Sequence, residues 1–301
     1  MLLALPAVVQ AQFTYATNNG TITIAQYTGP GGAVSIPGTI NGLPVTSIGK
    51  SAFQGYGCGP RLSMVEPITS VVIPNNVTSI GDYAFAYSMG LTKVILGNNV
   101  TSIGNNAFNS CSKLASLKIP GSLVSIGNGA FGECCKLTSV TIPGGVTNIG
   151  NGAFGQCSSL TNLIIPNSVR EIGIQAFSFC TSLPNVVIPS SISSIGNGAF
   201  MSCSKLTNVT IPDSVTNIER YVFDHCTSLG SITIPSSVSS IESYAFQNCT
   251  SLTGVYFKGH APKIYSSVFA GDDGATIYYL PETIGEWGTW FGGCPTALWK
   301  Q

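Results

Sequence analysis

Apolar and polar residues follow a fixed order along most of this chain. In Leu137-Thr-Ser-Val140-Thr-Ile142-Pro143 the apolar Val140 and Ile142 alternate with polar Ser139 and Thr141, the period of a half-buried strand. Pro143 has no N–H to give a ladder and ends that strand. Val146 and Ile149, three apart, predict two further inward positions, and Gly150-Asn151-Gly152 predicts a turn. Ala153, Phe154, Cys157 and Leu160 then recur at three-residue spacing, which predicts a short helical or 3-10 turn. At Leu160 the sequence starts again.

The unit is 23 residues long. Its Ile-Pro or a substitute falls at Ile73, Leu96, Ile119, Ile142, Ile165, Ile188, Ile211 and Ile234 without a deviating step. A column of Phe keeps the same register at Phe85, Phe108, Phe131, Phe154, Phe177, Phe200, Phe223, Phe246 and Phe269. Self-similarity at a fixed period of this size is the signature of a solenoid, because one unit cannot bury its apolar set alone and a stack of copies can. About eleven stacked strands are expected, with a cap at each end.

The pattern L-x-x-V-x-I-P-x-x-V-x-x-I-G-x-x-A-F-x-x-C-x-x, legible from about Val34 to Phe269, resembles the leucine-rich repeats of the BspA-like cell-surface proteins. The resemblance implies a leucine-rich-repeat solenoid of the α/β class, with a parallel β-sheet on the concave face and short helical or 3-10 turns on the convex face. It also implies an exported adhesion or recognition module that holds its partner on the concave sheet. Such scaffolds carry many different binding surfaces, so fold alone does not name the ligand.

The ends depart from the unit. Residues 1–11, MLLALPAVVQA, form an apolar run with a small-residue ending and are expected to be an export signal, incomplete for want of a basic start. Residues 12–33 predict a hairpin cap around Asn18-Asn19-Gly20. Residues 34–265 are the repeat array, with an insertion near 54–67 that is either a binding loop or a tolerated surface loop. In the last segment, 266–301, the register is expected to persist, with Leu280-Pro281 in the Ile-Pro slot, Tyr278 in the Val140 slot, Ile284 in the Val146 slot and Trp287 in the Ile149 slot. All three tryptophans, Trp287, Trp290 and Trp299, lie here with Tyr278, Tyr279 and Phe291, and read as a ring-filled cap or as a platform for sugar rings.

Composition narrows the function. Charged residues are only 8% of the chain, 12 basic against 12 acidic, so the net charge is zero, which argues against nucleic acid as a partner, since that would want a basic face. No stretch approaches the ~18 consecutive apolar residues of a membrane span. Near-zero charge also favours association, which keeps a self-associating extracellular assembly or filament open as the alternative role. Of the 10 cysteines, seven share one repeat slot: Cys111, Cys134, Cys157, Cys180, Cys203, Cys226 and Cys249. In-register Cβ vectors run parallel, so these are expected to be free, buried thiols rather than disulfides. No cysteine or histidine spacing suits a metal, and no cofactor motif occurs. Asp224-His225-Cys226 has the residue types of a nucleophile site, but neighbours on a turn are not expected to converge, so no enzyme activity is expected. Asp272-Asp273-Gly274 reads as a turn rather than a calcium loop.

Core packing leaves two columns of the strand free to answer a partner. One holds Lys93, Ser116, Ser139, Asn162, Asn185, Asn208 and Ser231; the other Ile95, Lys118, Thr141, Ile164, Val187, Thr210, Thr233 and Tyr256. They are the candidate contact residues for a protein or glycan ligand, against the alternative of a plain solvated β-surface.

Overall fold

The computed structural model describes residues 12–55 and 66–300. The expected export signal, Cys58 and most of the expected insertion lie outside the described residues. From Val34 onward the alternation builds strands of three to five residues, among them Lys93–Ile95, Ser139–Thr141, Asn185–Val187 and Gly254–Phe257. Each lies parallel and in register with its neighbours, so that Val140 meets Leu163 and Val186 meets Val209. Regular strand pairing along this ladder is interrupted three times, and Pro184, which has no N–H, stands at one break. Cys294–Leu298 adds a twelfth parallel strand beside Thr276–Tyr279, and Trp290–Phe291 pairs antiparallel with it.

A second parallel ladder was not legible. The Val-x-x-Ile pair of each unit ends in a two-residue strand, such as Ser102–Ile103, Ser125–Ile126 and Asn148–Ile149, too short to show a period. These strands pair from coil to coil and continue through Leu43–Ile48 to the antiparallel hairpin Phe13–Asn18/Thr21–Tyr27. The Gly column beside them is a close-approach feature. At Gly81, Gly104, Gly127, Gly150, Gly173 and Gly196 an added Cβ would lie 2.6–2.9 Å from the preceding coil. The ladder is broken between Ile195 and Asn217, where Glu219 first takes the Gly slot, and it resumes with Glu242 in that slot, whose amide donates to the Ile218 carbonyl at 2.8 Å.

The convex arc is a chain of tight turns. Within one coil the amides of Ala153, Cys157 and Leu160 reach the carbonyls three residues back at 3.2, 3.3 and 2.9 Å. Between them the amides of Gly152, Phe154 and Gln156 donate to the next coil at 2.8, 2.8 and 2.7 Å. Two slots per coil take a left-handed backbone, that of Gly152 and that of Gln156. The first is filled by Tyr at Tyr83, Tyr221 and Tyr244, with φ between 56 and 64°. Inside the coils the Phe rings form one column with centroids 4.8–5.9 Å apart from Phe53 to Phe269. Those from Phe85 to Phe246 are fully buried.

Candidate binding face

Because side chains alternate across a strand, burying Val140, Val186, Val209 and Val255 turns their neighbours outward. Lys93, Ile95, Lys118, Ser139, Thr141, Asn162, Ile164, Asn185, Val187, Asn208, Thr210 and Ser231 are all exposed, and Thr233 and Tyr256 are half-buried. Parallel register joins neighbours into strips: Ser139 stands opposite Asn162, Asn185 opposite Asn208, and Thr233 opposite Tyr256. The Asn162 amide donates to the Ser139 hydroxyl at 3.0 Å. Val187 is 71% and Ile164 50% exposed, so the sheet offers apolar area as well as polar groups. Lys93 and Lys118 lie on adjacent strands, two residues apart along the register.

At the last coil the register departs from expectation. Val255 pairs with Ile277 and Tyr256 with Tyr278, a step of 22 rather than 23. One residue is missing ahead of the strand, and a one-residue slip exchanges the two faces. Ile277 is therefore buried and Tyr278, expected in the inward slot, points outward; likewise Thr283 is buried and Ile284 is 56% exposed. Tyr278 stacks on Tyr256 with centroids 4.8 Å apart, and Trp299 closes on Tyr256 at 5.2 Å. Trp287 is buried against Phe257, Tyr279 and Phe291. Its indole N–H donates to the Thr283 hydroxyl at 2.9 Å. The terminal rings thus divide into an interior set and a set on the sheet's outer face.

The cysteine column has a chemical reason that was missed. Each thiol donates to the Phe carbonyl of the coil before, Cys157 to Phe131 at 3.3 Å and Cys180 to Phe154 at 3.4 Å. Ser88 fills the same slot and donates to Phe53 at 3.1 Å. The described cysteines are all free, and burial pushes the thiols of Cys111, Cys157 and Cys203 up to about 12. Asp272 holds this slot at the C-terminal end, 2% exposed, and neither carboxyl oxygen has a hydrogen-bond partner among the described residues. Burial, with the Asp273 and Asp224 carboxylates adding to it and the Cys249 amide opposing, pushes Asp272 up to about 7.

Asp224 and His225 do meet, Oδ1 to Nδ1 at 2.7 Å, and His225 Nε2 lies 3.3 Å from the Asn248 amide. The Cys226 thiol instead donates to the Phe200 carbonyl, so the three do not form a relay. His260 pairs with Glu286 on the surface, which draws the Glu286 carboxyl below its usual range. Among the described residues no cluster could hold a metal ion, and no helix is long and apolar enough to cross a membrane.

The family model described as BspA type leucine rich repeat region matches residues 46–183 and 147–276, in six copies. A leucine-rich repeat protein from Bacteroides ovatus is 30% identical over 89% of this chain and 70% of its own, with a TM-score of 0.76. A leucine rich cell surface protein from Faecalibacterium prausnitzii is 28% identical over 96% and 92%, with a TM-score of 0.64. A leucine-rich repeat protein of T. pallidum is 31% identical over 67% and 90%, with a TM-score of 0.58. No curated protein matches the chain.

Proposed function

The chain belongs to the BspA-type leucine-rich repeat family, and from that premise we propose that it is an exported, non-enzymatic binding or adhesion scaffold. Its partner is a protein or glycan held on the concave β-sheet. One observation carries the reading: two adjacent outward columns, one from Lys93 to Ser231 and one from Ile95 to Tyr256, stand outside the core, with Ile164 and Val187 exposed among hydroxyls and amides. A surface of that kind offers desolvation energy and directed hydrogen bonds together. Export is supported by the apolar run at 1–11 and by the likeness to a protein described as cell-surface. Residues 266–301 serve as the terminal cap.

The test is an array of extracellular proteins and glycans probed with the full chain and with a Val187→Lys, Asn185→Ala, Thr210→Ala variant of unchanged circular dichroism. Loss of the hits by the variant is expected; retention of every hit overturns the reading. A self-associating subunit is the second reading, favoured by the zero net charge and by the exposure of Trp290, 66%, and Ile284, 56%, in the terminal segment. Light scattering that shows monomers at every concentration removes it.

A further inference from the structure

The outward rings at the C-terminal end of the sheet form a built feature with no part in the core. Tyr256 and Tyr278 are direct cross-strand partners, 4.8 Å apart and within 11° of parallel. That distance is the spacing of neighbouring strands, so the rings stand face to face along the stack instead of lying flat on the sheet. Gly254 makes room for this: a Cβ there would lie 2.8 Å from the Tyr256 ring, and the same slot is Ser or Asn in the five preceding coils. Beyond the pair, Ala297 stands opposite Tyr278, and Trp299 reaches back to tilt against Tyr256 at 50°. The Tyr256 face turned away from Tyr278 looks over the coil of Ser231 and Thr233, whose side chains are small. The result is an aromatic wall at the end of a floor of hydroxyls and amides.

Charge sets the class of occupant. From Ser139 to Tyr278 the two outward columns carry no Asp, Glu, Lys or Arg, so an ionic ligand loses water there without gaining a counter-charge. An apolar peptide leaves the Ser231, Thr233, Asn208 and Thr210 groups unpaired beneath it. A neutral pyranose satisfies both parts: the C–H bonds on one side of the sugar ring meet the π face of Tyr256, and its hydroxyls exchange hydrogen bonds with the floor. We propose that Tyr256, Tyr278 and Trp299, with Ser231 and Thr233, form a subsite for a neutral glycan at the C-terminal end of the concave sheet. The proposal rests on the concave-face reading above and names its ligand class.

The experiment is isothermal titration of the full chain with maltohexaose, cellohexaose and mannohexaose, repeated for Tyr256→Ala, Tyr278→Ala and Tyr256→Phe, each first shown to keep the wild-type unfolding midpoint. Saturable binding of at least one hexaose is expected, weakened tenfold or more by either alanine and kept by Tyr256→Phe. Failure of all three hexaoses to bind at millimolar concentration overturns the subsite, as does binding that neither alanine changes. If an array protein still loses its hold on the Val187→Lys variant, the concave reading survives that failure. If no concave variant alters any hit, both fall together.

Discussion

Replacing Asp272 with Cys or Asn tests whether the cysteine column is a chain of donors. Every other described member of that slot, from Ser88 to Cys249, gives a hydrogen to the Phe carbonyl of the preceding coil; Cys249 does so to Phe223 at 3.1 Å. Asp272 breaks that series: neither of its carboxyl oxygens has a partner among the described residues, so its charged form is buried without compensation. Its carboxyl is raised from 3.8 to about 7, chiefly by burial. The folded chain therefore holds a proton that the unfolded chain releases between pH 4 and 7, and stability falls as pH rises through that window. At about 1.4 kcal/mol per pKa unit the ceiling is ~4 kcal/mol, and water reaching the end of the stack brings the expected loss to ~2 kcal/mol. Both variants remove this loss, so they should match wild type near pH 4 and exceed it by ~2 kcal/mol above pH 7. Asp224, also raised by burial, is present in all three proteins, and only its repulsion of Asp272 is lost in the variants. Urea titration followed by tryptophan fluorescence reads the relevant end, because all three tryptophans lie between 287 and 299. A difference between wild type and variant that stays the same at pH 4.5 and 7.5 refutes the reasoning.

Phe154→Ala removes a ring stacked at 5.3 and 5.6 Å on Phe131 and Phe177, and should cost about 3–5 kcal/mol, read as a fall in the urea midpoint by far-ultraviolet circular dichroism. Cys157→Ser keeps a donor for the Phe131 carbonyl and Cys157→Ala does not, so the serine variant should be the more stable by ~1 kcal/mol in the same titration. In a Cys58→Ser background, native protein at pH 8 should expose one rapidly titrated thiol to a disulfide reagent, that of the half-buried Cys135, while the column stays silent until urea is added.

How much of this was legible follows from what each slot must satisfy. The Phe and Cys columns and the strand alternation were readable because an inward side chain touches its own copies above and below, and any change is felt twice. The second ladder was not, since two-residue strands such as Asn148–Ile149 carry no period and are held by backbone pairing that any side chain permits. The Asn105, Asn128 and Asn151 side chains, each accepting the amide of the next coil at 2.8 Å, sat unnoticed in what read as a plain turn. The register slip before Thr276 was hidden for another reason. Leu280-Pro281 imitates the Ile-Pro signal at the 23-residue distance while the strand itself has moved by one. Parity, and with it the outward aim of Tyr278, was therefore misread.

Apart from the insertion near 54–67 and Ser88 in the thiol slot, several departures from the unit fall toward the chain's C-terminal end. Glu219 in the Gly slot, Gly254 under a ring, Asp272 in the thiol slot and the lost residue before Thr276 all fall in the last third of the chain. A coil in the middle of the stack is fitted on both sides, so a new side chain or a slipped strand must suit two neighbours at once. Only at the terminal coil is the constraint one-sided, and there the lost residue before Thr276 is covered by large rings such as Trp287 and Phe291. The same freedom lets a strand turn an aromatic outward without breaking the ladder behind it. Two of the departures, Gly254 and the slip that turns Tyr278 outward, meet at Tyr256.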